Sequence, residues 1–397
     1  MARVYLHIAS PKTGTTYLQG VLWRNRGRLK KQGLLLPGSG LLEHYEGCFQ
    51  VREVPQSAPD PARGEHAWDR LVEKTLAWDD DVLISHEMYC LATKAQAQRA
   101  IAPLVEAGRE VHIIITARDL ARQITADWQE RVKIGGTVTF EEFVERMRRR
   151  ARDTGNDDIA TTGGGYMWRA HDYDWLAERW GSTLPPEHTH VVTVPPRGAP
   201  RDLLWQRYAG LLGIDSSDFE FEAFPNESLG VEQVELIRRL NVELDGRIRW
   251  PRPYSGVVKQ GFAEQILGKR EGTRLELRGE DLAFAREASA DVVRRLGARG
   301  VDAVGDLDEL LVPEVPADGT STARMEVSTE RLLAEALGGI AGLLDRAAEE
   351  RMAFWAAQGQ DTRPQGDEGP PPPPVGRLRR FAVRATDYAL RRLLGKR

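Results

Sequence analysis

Lysine is scarce in this chain, nine residues against 46 arginines in a total of 397. With abundant Ala and Gly, the skew reads as the residue bias of a high-GC genome. An Arg cluster therefore carries less functional information than usual, and a Lys carries more. Only two cysteines are present, Cys48 and Cys90, with neither CxxC nor metal-ligand spacing. They exclude a disulfide framework and point to free thiols in a reducing compartment. No stretch reaches the roughly 18 uninterrupted apolar residues of a membrane-spanning helix. The opening MARVYLHIASPKTGTT lacks the apolar run of a signal peptide. Neither sign of charge dominates: 55 basic and 59 acidic residues leave a net −4, which argues against a global nucleic-acid-binding surface. The expectation is a soluble cytoplasmic protein with no nucleic-acid partner.

What is present is a pattern of short apolar runs and longer helical periods. Val4–Ala9, Val82–Ser85, Val111–Thr116 and His190–Val194 are short, rich in β-branched residues and apolar on both faces. Such runs suit a parallel sheet covered on both sides; Leu34–Leu36 is a candidate fifth. Between them, Leu18, Val21, Leu22 and Leu29 share a helical face that Gly33 stops, and 94–107 forms a second helix despite Pro103. Strand 82–85, that helix and strand 111–116 read as a βαβ unit. From 231 the pattern changes to helices without clear strands: 231–247, 280–298 and 328–355. The fold class expected is α/β, three-layered around a parallel sheet, with helical C-terminal additions. Residues 1–230 read as the α/β core, 231–315 as its helical completion on the acceptor side and 316–358 as a long helix. The Pro-rich 359–376, with Pro370–Pro374, reads as a spacer.

The sharpest motif is Ser10-Pro11-Lys12-Thr13-Gly14-Thr15-Thr16, between the first strand and the following helix. A strand, a Gly-containing turn and a helix N-terminus make an anion cradle, with outward N–H groups and the positive end of the helix dipole. Lys12 adds a full charge and the threonines add hydroxyl donors. The loop is not GxxxxGK[ST], because Lys12 precedes its one glycine. The nearest acidic cluster, Asp79–Asp81, precedes strand 82–85 and so sits at the wrong edge for a Mg²⁺ ligand. A phosphate-like ligand is expected, and a metal-bound nucleoside triphosphate is disfavoured. Ser85-His86-Glu87 and Arg118 also follow strands, so in an open parallel sheet all three groups fall on one rim. Nothing in the spacing of the histidines resembles a zinc or iron ligand set.

SPKTGTTYLQ after an N-terminal strand resembles the 5′-phosphosulfate loop of sulfotransferases that use 3′-phosphoadenosine 5′-phosphosulfate (PAPS). TARDLARQITADWQ (116–129) resembles their 3′-phosphate segment. Weaker likenesses run through WRAHDYDWL, HVVTVPP and NESLG, and together they cover about residues 3–310. The resemblance implies a P-loop-like, bacterial, metal-independent sulfotransferase taking PAPS as co-substrate and releasing 3′,5′-adenosine diphosphate. It implies Lys12 at the leaving phosphate oxygen and Pro11, Thr13, Gly14, Thr15 and Thr16 around the 5′-phosphate. It implies Glu87 as general base, with His86 the competitor, and Arg118 on the 3′-phosphate. Where the family pattern expects a Ser, this chain has Ala126; either Thr125 substitutes or the contact is absent. Asn226 and Ser228 are implied phosphate or adenine contacts, with a plain turn as the other reading. His44, His171 and Asp172 fall in regions that could line an acceptor pocket, although His171 in a Trp-rich helix reads better as a core histidine. The acceptor is a carbohydrate, lipid headgroup or small molecule. The competing functions are a non-catalytic nucleotide- or glycan-binding module of the same fold and, less favoured, a nucleotide kinase. Residues 377–397, with eight basic residues and one acid, form a basic amphipathic pattern suited to an anionic membrane surface or an acidic partner. A tail folded back on the body is the alternative.

Overall fold

The computed structural model describes residues 1–152, 168–221, 229–313 and 327–358. The chain divides into two compact units, residues 1–342 and 343–397. The first unit opens with β1 (Arg3–His7), α1 (Thr15–Arg24), α2 (Arg26–Lys31), β2 (Leu34–Leu35), α3 (Leu41–Val51), α4 (Pro61–Gly64) and α5 (Ala67–Leu76). It continues through β3 (Asp81–Ser85), α6 (Lys94–Glu106), β4 (Glu110–Ala117), α7 (Leu120–Lys133), α8 (Phe140–Ala151) and α9 (Tyr173–Gly181). Then come β5 (Thr189–Thr193), α10 (Leu203–Leu212), α11 (Val231–Leu244), a π-helical segment Ser255–Glu264, α12 (Gly279–Arg299) and β6 (Asp302–Val304). A final helix, α13, runs Thr329–Ala357.

The six strands form one parallel sheet in the order β2-β3-β1-β4-β5-β6. Alternation sends Val4, Leu6, Val82, Ile84, Val111, Ile113, Ile115 and Val191 to one face. Tyr5, Leu83, Ile114 and Val192 go to the other. Both faces are buried under helices, which is why the strands read as unbroken apolar runs rather than as alternating ones. The three-layer α/β arrangement expected from the sequence is present.

The βαβ unit expected from β3, α6 and β4 is present, with β1 pairing to both parallel strands and lying between them. One expectation needs correction: the stretch after 231 contains a sheet strand, β6, which pairs with β5. It is three residues long with Asp302 and Ala303 exposed, so it leaves no apolar run to read. The order of the strands also fixes a switch point. From β1 the chain moves to one side of the sheet, then returns to place β4 on the other, so the segments leaving β1 and β4 diverge around a crevice. The Pro-rich segment 359–376 and the basic stretch 377–397 lie outside the described residues.

Candidate functional site

The loop after β1 is shaped by two left-handed residues, Lys12 (φ 66°) and Gly14 (φ 85°). Gly14 suits this geometry without a Cβ penalty, and a Cβ there would lie 2.5 Å from Leu204 Cδ2. Lys12 has no such freedom; a left-handed backbone at a residue with a Cβ costs roughly 1–2 kcal/mol. Gly14 is the N-cap of α1, and no side chain caps that helix. The positive end of the helix dipole therefore meets the loop without a side-chain cap. Thr16 is exposed and Thr15 is buried. The Thr13 hydroxyl is committed inward, donating to Ser10 O at 2.6 Å and meeting Thr116 Oγ1 at 2.7 Å. Thr13 therefore braces the loop with its side chain and has only its backbone to offer a ligand.

Beneath the loop lies a buried polar layer that sequence reading missed. Gln123 of α7 donates to Ser10 Oγ at 3.1 Å and to Pro11 O. His171 meets Ser10 Oγ through Nδ1 at 3.1 Å and Asp127 Oδ2 through Nε2 at 3.0 Å. Burial pushes the Asp127 carboxyl up, but Arg131 and His171 more than offset it and hold the carboxyl below its ordinary value. The Ser10–His171–Asp127 line has the connectivity of a hydrolase triad, yet Ser10 and His171 are completely buried. It supports the loop and has no face for a substrate. His7 ties the ends of all three central strands together, through Ser85 Oγ at 2.9 Å and Thr116 Oγ1 at 3.3 Å. Burial lowers its pKa to about 3, so this imidazole is neutral.

At the end of β3, His86 and Glu87 take different parts. His86 Nδ1 accepts from the Met88 N–H at 3.2 Å, and its ring stacks on Tyr45 at 4.7 Å. Burial lowers its pKa, and a neutral imidazole accepting through Nδ1 carries its proton on Nε2. It then has no vacant nitrogen with which to take a second proton. Glu87 Oε2 accepts from Gln19 Nε2 at 3.2 Å and lies 3.8 Å from His86 Nδ1. Burial raises the Glu87 carboxyl, but His86 and hydrogen bonds including that from Gln19 outweigh it, leaving it below the ordinary Glu value. The pair thus presents one ionised carboxylate and one committed imidazole.

Lys12 does not stand alone. Its Nζ lies 2.5 Å from Glu130 Oε2, and Glu130 also pairs with Lys133 at 2.9 Å and Lys259 at 2.5 Å. Three of the nine lysines meet at one carboxylate. Burial lowers the Lys12 pKa against the raising effect of Glu130, with Lys133 and Lys259 lowering it further. Burial would raise Glu130, yet the three ammonium groups hold it far below the ordinary range. The cluster is a cationic pocket with an internal counterion. Spacing in sequence hid it: Glu130 and Lys133 share a turn of α7, but Lys12 and Lys259 come from distant segments.

Arg118 leaves β4 on the other flank of the crevice. Its guanidinium donates to Arg122 O at 2.8 Å, while its buried Nε has no partner. Its backbone is clamped by Tyr173, whose hydroxyl accepts from Arg118 N at 3.0 Å and donates to Arg118 O at 2.7 Å. Burial lowers its pKa to about 10, and the charges of Arg122 and Arg197 push the same way. A half-buried guanidinium with an orphaned Nε donor and like charges around it fits an anion. Thr125, the suggested substitute for the missing Ser hydroxyl, faces Ala121 O and Arg122 O at 3.1 and 3.0 Å in its own helix. Its hydroxyl proton is spent there. Asn226 and Ser228 lie outside the described residues.

The suggested acceptor-pocket residues are placed elsewhere. His44 is fully buried, with Nε2 on Pro37 O at 2.8 Å and Nδ1 accepting from Ser85 N at 3.1 Å. His171 lies under the loop, as described. Asp172 caps α9 and pairs with Arg295 at 2.9 Å. All three hold the scaffold.

Compared with known proteins, the chain matches no family model and no curated protein. A crystal structure of a sulfotransferase from Alicyclobacillus acidocaldarius is similar at 15% identity with a TM-score of 0.37. The match covers 63% of this chain and 97% of that one.

Proposed function

We propose that this chain is a sulfotransferase, moving a sulfuryl group from PAPS to a hydroxyl or amine of an acceptor. One observation carries the reading. Lys12, Glu87 and Arg118 follow three adjacent strands, β1, β3 and β4, and so share the carboxyl rim of the sheet at its switch point. An anion cradle, an ionised carboxylate and a half-buried guanidinium with an unpaired donor are the three things sulfuryl transfer from a bisphosphorylated nucleotide asks of a protein. The motif likeness of SPKTGTT and TARD to PAPS-using enzymes points the same way.

In this reading the first-turn N–H groups of α1, with Gly14, Thr15 and Thr16, hold the 5′-phosphate, and Arg118 holds the 3′-phosphate. Glu87 takes the acceptor's proton as the acceptor oxygen or nitrogen bonds to sulfur. The bond between sulfur and the phosphate oxygen breaks, and Lys12 stabilises the charge left on that oxygen. Lys12 must leave Glu130 to do so, and Lys133 and Lys259 remain to hold the freed carboxylate. His86 packs beside the base and orients it. The acceptor is drawn from carbohydrates, lipid headgroups and small molecules.

Calorimetric titration tests the reading. Micromolar binding of 3′,5′-adenosine diphosphate in the presence of a Mg²⁺ chelator is expected. Tight binding of Mg²⁺–ATP with no response to 3′,5′-adenosine diphosphate would overturn it in favour of a kinase.

A further inference from the structure

At the opposite, amino-terminal end of the sheet, three of the eight histidines and two carboxylates gather on one face. The register sets Ile113 of β4 against Thr189 of β5, so one residue back His112 lies beside His188. Their rings stack at 4.3 Å. Strand alternation puts Glu110 on the same face as His112, and His190 on the same face as His188. One ligand atom from each of Glu110, His112 and His188 lies within 4.8 Å of the others. His112 Nε2 is 2.9 Å from Glu110 Oε1, and His188 Nε2 is 3.6 Å from the same oxygen. A tetrahedral ion with bonds of about 2.0–2.1 Å holds its ligand atoms about 3.3 Å apart, which these separations bracket.

The same cluster is backed by a line of hydrogen bonds reaching β6. A single line runs Asp302 Oδ2 to His190 Nδ1 (2.7 Å), His190 Nε2 to His112 Nδ1 (2.8 Å) and His112 Nε2 to Glu110 Oε1 (2.9 Å). Each of the three contacts needs one positive centre between two lone pairs. Two imidazoles with one N–H each fill two of the contacts, and a third proton or a cation fills the remaining one. If His190 donates through Nδ1 to Asp302 and His112 donates through Nδ1 to His190, both protons are used well. His112 Nε2 then faces the Glu110 carboxylate with a bare lone pair, on the side where His188 Nε2 also points.

The geometry points to a divalent transition-metal site of the zinc class, with Glu110, His112 and His188 as ligands and water completing the coordination. Imidazole and carboxylate suit Zn²⁺. The outer chain His112–His190–Asp302 is the carboxylate-backed arrangement that orients a ligating imidazole and fixes its tautomer. The side chains of Glu110 and His188 keep 34% and 20% of their surface in solvent, which leaves an entry path and room for the water. From His112 to the end of β4 at Ala117 is ~16 Å at about 3.3 Å per strand residue. The ion therefore lies at the far end of the sheet from the anion loop. It pins the 186–188 turn and β5 to β4 as a structural staple, and this inference does not rest on the sulfotransferase reading.

The test uses the full-length protein, stripped with a chelator and titrated with Zn²⁺, followed by calorimetry and thermal denaturation. One Zn²⁺ per chain is expected, with a raised Tm. Glu110→Gln and His188→Gln, both at partly exposed positions, should each weaken binding at least about tenfold and remove the Tm increase. Failure of the wild-type chain to take up Zn²⁺ at micromolar concentration overturns the assignment. So does uptake by both variants equal to that of the wild type, which would place the metal elsewhere.

Discussion

Glu87 and His86 are adjacent in sequence, and only their hydrogen bonds distinguish them. Proton-accepting capacity at His86 is blocked by the Met88 N–H on Nδ1, whereas Glu87 is ionised and partly open to solvent. Glu87→Gln is therefore expected to cut kcat by about 10²–10⁴-fold, the range for loss of a general base, with donor affinity little changed. His86→Asn, which removes packing against Tyr45 rather than a proton acceptor, should cost far less. Glu87 must be ionised to act, and its pKa is depressed. Activity should persist as pH falls to the ordinary Glu value of about 4.3 and be lost below it. A rate–pH profile with its acid limb between 5 and 7 (roughly the span of an ordinary histidine) would contradict this assignment, as would a Glu87→Gln variant with full turnover. Residue identity at positions 12, 14, 87 and 118 was legible in the sequence because loops after strands are short and local. The partners of those residues were not: Gln123, His171, His7 and Glu130 reach the site from other segments, through contacts only the folded chain makes.

Among the elements, α7 does more than its sequence pattern suggests. It supplies Gln123 and Asp127 to the layer beneath the loop, and its last turn supplies Glu130 and Lys133 to the lysine cluster. Glu130 links the helix to Lys12 of the loop and Lys259 of the π-helical segment. Replacing it leaves three ammonium groups facing one another. Glu130→Gln should lower stability at pH 7 by about 2 kcal/mol, less than a fully buried broken pair because the lysines stay partly solvated. The sign with pH follows from the depressed pKa of this carboxyl. Its contribution is complete above the unfolded Glu value of about 4.3 and is lost as pH falls through the lower folded value. Urea denaturation of both proteins should therefore show a gap at pH 7 that narrows in strong acid; an unchanging gap, or none at pH 7, contradicts the role given to Glu130. The main strands and the helices at 94, 231 and 280 were readable from apolar periodicity. Strand β6 was not, since a three-residue edge strand with exposed side chains offers no period to read.

On the scale of the whole molecule, one parallel sheet keeps the two proposed sites apart. Its carboxyl rim collects the anion loop, Glu87 and Arg118, while its amino end gathers the histidine cluster. Among the described residues no helix is long and apolar enough to cross a membrane. The convergence on the rim was foreseeable from sequence, because every candidate followed a strand and all the strands are parallel. The strand order that makes β3, β1 and β4 neighbours was not foreseeable, since it depends on which side of β1 each crossover returns. In the proposed reaction Arg118 reads a 3′-phosphate while α1 holds the 5′-phosphate. The most direct measurement is a calorimetric titration of the wild-type chain and Arg118→Ala with 3′,5′-adenosine diphosphate and with 5′-adenosine monophosphate. Loss of a charge-assisted contact of roughly 1.5–3 kcal/mol corresponds to about 10–150-fold in affinity. The wild type should prefer 3′,5′-adenosine diphosphate by that factor, and Arg118→Ala should bind the two nucleotides alike. A wild type without the preference, or an Arg118→Ala variant that keeps it, rules out Arg118 as the 3′-phosphate contact.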